Sequence, residues 1–183
     1  MRIKQAHIPY IANKIVLDMV NSSFVELKDN SDNLLSKSKE ILEKDLFKER
    51  SLDERVKELL EEQEDEMEFM QVDRKNMFWL VKKRLAPEFD VILNNEDRHN
   101  DLAHKILSAF VDNDFINFDV SENRIKNLIF SSIENYLRTY ESLEDEVYEK
   151  ISHYKRKLVP GSEEFEIVFD KLYQEELKKR GML

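Results

Sequence analysis

Apolar residues return at intervals of three and four along nearly the whole chain, which is the signature of amphipathic helices. Ile8, Ile11, Ile15 and Met19 set one face of a helix over about 5–22, and a similar stripe runs over 96–112. Each is followed by a short extended passage, FVEL or FINF, and then by a helix over about 31–49 or 121–140. A third helix opens at Ser51 with Glu54 placed to complete a capping box, and its counterpart opens at Ser142 with Asp145. Pro87 and Pro160 then close those helices, because the residue before proline resists the α conformation. A fourth helix begins near 88 and 163, the latter capped by Ser162.

These elements come in two matching sets. ANKIVLDMVNSSFVEL at 12–27 is echoed by AHKILSAFVDNDFINF at 103–118, ninety-one residues on. SLDERVKEL at 51–59 meets SLEDEVYEK at 142–150 with the same offset, and KRLAP at 83–87 faces RKLVP at 156–160. Ordered blocks that include their turn residues predict a tandem duplication of a four-helix unit, 1–93 and 94–183. The KRLAP match lowers the offset to seventy-three, so it implies eighteen extra residues, five whole turns, in the third helix of the first unit. That helix would then be one rod of about 50 Å over 51–85. Phe89, Ile92, Glu96, His99, Ala103, Ile106 and Phe110 keep heptad spacing, which predicts a continuous helix over 88–112 joining two bundles into an elongated all-α molecule.

Composition agrees with helices. Of 183 residues only two are Gly and three Pro, and 41% are hydrophobic, enough for a packed core. No stretch has the continuous apolar length of a membrane span or a signal peptide, so a cytoplasmic protein with no membrane partner is expected. With no cysteine, thiolate metal sites and cysteine nucleophiles are excluded. A net charge of −10 disfavours nucleic acid, and the basic end Lys178, Lys179 and Arg180 is expected to complement a helix dipole instead.

Candidate chemistry is sparse. Glu96 and His99 form an acid-x-x-His pair, repeated at Asp101 and His104. Di-iron bundles draw such pairs from separate helices, whereas both lie on one predicted helix here. The acidic run EEQEDEME at 61–68 reads as a solvated face. Two glycines leave no room for a phosphate loop, and no nucleophile elbow is present. No catalytic residue, metal ligand, cofactor or small-molecule substrate is assigned on these grounds. The feature that stands out is a second apolar face, Phe69, Val72, Trp79 and Leu80, opposite the main stripe of the long third helix. Such a face is either buried between neighbours or offered to a partner, and it holds the only tryptophan.

MRIKQAHIPYIANKIV at the start and VPGSEEFEIVFDKLYQEELKKRG at the end resemble the bacterial domain-of-unknown-function family 507 along the whole chain. The resemblance implies an all-helical cytoplasmic protein and supplies no activity to carry over. The expectation is therefore a non-enzymatic interaction or scaffold protein that binds protein partners, or itself, through apolar helix faces. The alternative is a metal-binding protein or enzyme using carboxylates and His99 and His104 near the inter-unit helix.

Overall fold

The computed structural model describes residues 2–64, 73–154 and 157–180. Among them are six α-helices: α1 Ile8–Asn21, α2 Ser31–Glu62, α3 Arg74–Leu85, α4 Asn95–Asp112, α5 Glu122–Ser152 and α6 Glu163–Lys179. Two three-residue strands, β1 Val25–Leu27 and β2 Ile116–Phe118, pair antiparallel with Glu26 opposite Asn117. The fold is all-α, as the pattern implies. The chain divides into two compact units, Arg2–Ile133 and Glu134–Leu183, with the division falling inside α5.

The core of the first unit is supplied by one face of each helix. Ile8, Ile11, Ile15 and Met19 of α1, Leu34 and Leu42 of α2, and Leu102, Ile106 and Phe110 of α4 are all essentially inaccessible to water. Side by side with α2 lies α3: Arg74 meets Glu64 while Lys82 meets Asp53, so the two helices run in opposite directions. Between them Leu52, Val56 and Leu60 pack on Met77, Phe78, Val81 and Leu85. In the other unit Leu143, Val147 and Ile151 of α5 pack in the same manner on Phe165, Phe169 and Tyr173 of α6. Phe165, Phe169 and Tyr173 stack in file at i, i+4 and i+8, with centroids 6.1 and 5.8 Å apart.

Three expectations are corrected. The predicted second and third helices of each set are one helix, α2 or α5, so Ser51 and Ser142 lie in helix interiors and cap nothing. A Ser can cap only where the preceding backbone leaves the helix. The buried face continues through Leu46, Glu49, Leu52 and Val56, and a break in the helix there would expose it. The rod expected over 51–85 does not form either. α2 ends at Glu62 and α3 starts afresh at Arg74, where the Asp73 carboxylate accepts a hydrogen bond from the Lys75 amide.

The continuous helix expected over 88–112 is also broken. Pro87 sits in a 3-10 turn, Ala86–Phe89, and Asp90 takes the left-handed conformation with φ 53°. The Val91 amide reaches back to the Ala86 carbonyl, a Schellman closure that drops Val91 into the α2–α3 core. Asn94 then caps α4 by accepting from the Asp97 amide. The heptad spacing across the junction is thus incidental, since Val91 gains more from burial than the chain gains from staying helical. Asp114, with φ 56°, ends α4 the same way, and the Phe115 amide donates to the Phe110 carbonyl. Because a β-branched side chain clashes with the left-handed backbone, Asp90→Val should lower stability by about 1–2 kcal/mol. Asp90→Asn should stay within about 0.5 kcal/mol, because asparagine tolerates that conformation and the lost Lys48–Asp90 pair is solvent-exposed; urea unfolding of the two variants checks this.

Candidate functional site

The offset of ninety-one residues locates what is shared between the two halves and what is not. Ile11, Ala12, Ile15, Val16 and Met19 are buried, and so are Leu102, Ala103, Ile106, Leu107 and Phe110. Leu34, Leu42, Leu46, Leu52, Val56 and Leu60 are buried, as are Ile125, Ile133, Leu137, Leu143, Val147 and Ile151. The offset holds past the ends of α2 and α5: Phe78 and Val81 pack where Phe169 and Leu172 do in the other hairpin. KRLAP closes α3 whereas RKLVP precedes α6, so their match is one of composition and not of position. No five-turn insertion is needed.

The two sets part company at a cluster of charged groups around α2. Asp45, Glu49 and Asp53 occupy one line of α2 at i, i+4 and i+8, and three cations from elsewhere meet them. Arg98, at the start of α4, donates to Asp45 at 2.7 Å and to Glu49 at 2.5 Å. Lys82 of α3 pairs with Asp53 at 2.5 Å and Glu49 at 3.4 Å, and Arg2 pairs with both acids. Lys82 is only 2% exposed, Glu49 4% and Arg98 5%. Burial alone would raise the Glu49 carboxyl, but the hydrogen bond and charge of Arg98, with Arg2 and Lys82, outweigh it and hold the group below the ordinary range. Burial acts against the Arg98 guanidinium, and Asp45 and Glu49 more than offset it.

This cluster was not anticipated from sequence. Its signal was available, since Glu49 and Lys82 each interrupt an apolar stripe at an inward position, and a charged residue there requires a buried partner. Ninety-one residues beyond Asp45, Glu49 and Lys82 stand Tyr136, Tyr140 and Tyr173. Tyr140 and Tyr173 meet edge to face at 5.2 Å, and burial chiefly, with Tyr140, raises the Tyr173 hydroxyl strongly.

Directly on the ion cluster sits the candidate interface. The Lys82 ammonium lies 5.4 Å from the Trp79 ring centroid and 6.0 Å from that of Phe78. Phe78 turns inward while Trp79 is 54% and Leu80 64% exposed. Of the four residues proposed for partner binding, Trp79 and Leu80 therefore lie on an open face of α3. Phe69 and Val72 lie outside the described residues, as does the second half of the acidic run.

The histidines do not converge. His99 is buried on the inner face of α4, whereas His104, about 140° around the helix, is exposed, and Glu96 is exposed in the first turn. Asp101 pairs with Lys105 at 2.7 Å. The described residues contain no group of three or more His, Asp or Glu arranged to hold a metal ion. At the C-terminal end Lys179 pairs with Glu176 within α6, while Arg180 pairs with Glu146 and so fastens the end of α6 to α5. No helix among the described residues is long and apolar enough to cross a membrane.

The model of a family described as protein of unknown function (DUF507) matches residues 1–182, and the chain belongs to that family. None of the curated proteins compared with the chain matches it.

Proposed function

We propose that this member of DUF507 is a helical interaction module that takes up a protein partner, or a second copy of itself, on the Trp79–Leu80 face of α3. The observation that carries the reading is a large aromatic and a leucine, more than half exposed, held on a short helix by a buried ion cluster beneath them. A side chain fixed in this way binds with little loss of conformational entropy, which is how an aromatic anchor works. Lys75, Lys83 and Arg84 are exposed around the same face. Charge complementarity therefore favours an acidic amphipathic helix as the occupant.

The module itself we read as a duplicated unit. Support comes from the buried positions repeating at ninety-one residues and from the strands: Val25 pairs with Phe118 and Leu27 with Ile116, so each equivalent pair swaps partners about Glu26 and Asn117. A local two-fold relation produces that register. One half uses its inward polar positions for ions and the other for tyrosines, which makes the interface face specific to the first half.

A photo-reactive side chain at Leu80, in the cell that makes the protein, should trap a partner or a second copy through α3. Trp79→Asp should weaken that complex by about thirtyfold, the equivalent of about 2 kcal/mol expected for an anchor residue. Identical cross-linking in wild type and Trp79→Asp, with both proteins monomeric by light scattering, would remove the proposal.

A further inference from the structure

A second feature of the first unit lies away from α3. Between α2 and α4 runs a groove of about 360 Å³. Its floor is apolar, formed by Ile41, Leu102 and Ala109, and its walls carry Lys37, Lys44, Lys48, His104 and Lys105. Three acids also line it, yet two are already engaged: Glu40 by Lys37 at 2.8 Å and Asp45 by the buried Arg98. Asp112 is the third. Lys48 and Lys105 lean on Asp90 and Asp101, carboxylates outside the groove, and Lys44 and His104 have no hydrogen bond or ion pair within the described residues. In a chain of net charge −10, four lysines gather here against three lining acids, and Lys44, whose charge also acts on Glu40, is the lysine without a direct carboxylate contact among the described residues.

The helical framework does not need these charges. Ninety-one residues from Lys37, Lys44 and Lys48 stand Leu128, Asn135 and Thr139, and the counterpart of His104 is Asn13. The neighbouring inward positions, Leu34, Leu42 and Leu46 against Ile125, Ile133 and Leu137, remain buried in both halves. Lys105 is matched by Lys14, but Lys37, Lys44 and Lys48 belong to the groove and not to the packing, which the other half achieves with neutral side chains at those three positions.

We propose that this groove binds a small organic anion bearing two acidic groups, phosphate or carboxylate, on a short apolar body. The volume falls within the range of small-molecule sites. Lysine ammoniums on two facing helices neutralise separated charges without demanding bidentate geometry, while the apolar floor takes the body of the ligand. An extended polyanion is a poorer fit, because the lysines are confined to the stretch 37–48 on α2 and to Lys105 on α4.

The test titrates the whole chain, labelled for amide NMR, with inorganic pyrophosphate, citrate and a hexaglutamate peptide in turn, at constant ionic strength. Saturable shifts confined to amides of 37–48 and 102–112 are expected with pyrophosphate or citrate, and whichever binds more tightly identifies the acidic group. Lys44→Glu should weaken binding by about tenfold or more, the loss of one charge contact of about 1.4 kcal/mol. Lys57→Glu, an exposed position on α2 outside the groove with the same change in net charge, should bind as wild type does. Failure of both small anions to saturate, equal weakening by Lys57→Glu, or tighter binding of hexaglutamate than of either would each overturn the proposal.

Discussion

Glu49→Ala lowers the unfolding free energy by about 3–5 kcal/mol at neutral pH, the effect expected when one partner leaves a buried ion network. The carboxylate is 4% exposed and touches three cations, two of which, Lys82 and Arg98, are as deeply buried as it is. Removing it strands those charges where water cannot reach them. Asp45 and Asp53 still hold one side of the cluster, which keeps the loss near the lower end of that range. A double-mutant cycle with Arg98→Ala, read by urea unfolding, should return a coupling of about 1.5–3 kcal/mol. Losses that simply add would mean that the two side chains do not act together.

The same carboxylate makes stability depend on acid. Its folded-state ionisation lies below the ordinary glutamate value of 4.5, so the folded protein binds its proton less readily than the unfolded chain does. The stabilisation is fully present above that value and is lost as pH falls through the lower, folded-state range. Melting temperatures of wild type and Glu49→Gln should therefore converge as pH is lowered below about 4.5. Parallel curves down to pH 3 would contradict it.

Phe110→Ala lowers stability by about 3–5 kcal/mol, and Met19→Ala, its counterpart ninety-one residues earlier, by about 2–5 kcal/mol. Both side chains are wholly inaccessible, on α4 and α1 of one compact unit. Phe110 also leans on Phe115, centroids 6.3 Å apart, and its carbonyl accepts the bond that closes α4. Truncation thus opens a cavity beside the turn that leads into β2. Calorimetry should show a transition moved down by on the order of 10 °C for a unit of this size. A loss below about 1 kcal/mol would mean that the site collapses around the smaller side chain.

The all-helical class, the positions of α1 and α4, the two short strands, the Ser162 cap and the ninety-one-residue echo were legible in the pattern of apolar positions. That pattern reports which face of a segment is inward, a property that burial imposes residue by residue. Helix ends were read less well. With only two glycines in the chain, the left-handed positions after Phe89 and Asn113 fall to Asp90 and Asp114, which carry no distinctive signal among so many acids. Ser51 and Ser142 have the chemistry of caps in places where a continuous buried face keeps the helix going.

What the sequence by itself determined is the inventory of helices, their inward faces and the near absence of catalytic chemistry of known pattern. Tertiary structure decided the rest: that α3 turns back along α2, that Glu49, Lys82 and Arg98 meet, that Trp79 stands over Lys82 facing out, and that four lysines share one groove. All but the Trp79–Lys82 contact, which lies within α3, bring together residues from separate helices, thirty-three positions apart for Glu49 and Lys82 and forty-nine for Glu49 and Arg98. Helical periodicity extends only over neighbouring turns. A charge at an inward position announces that a partner must exist, because an unpaired charge in the core is too costly to keep. Which partner arrives depends on how the helices pack.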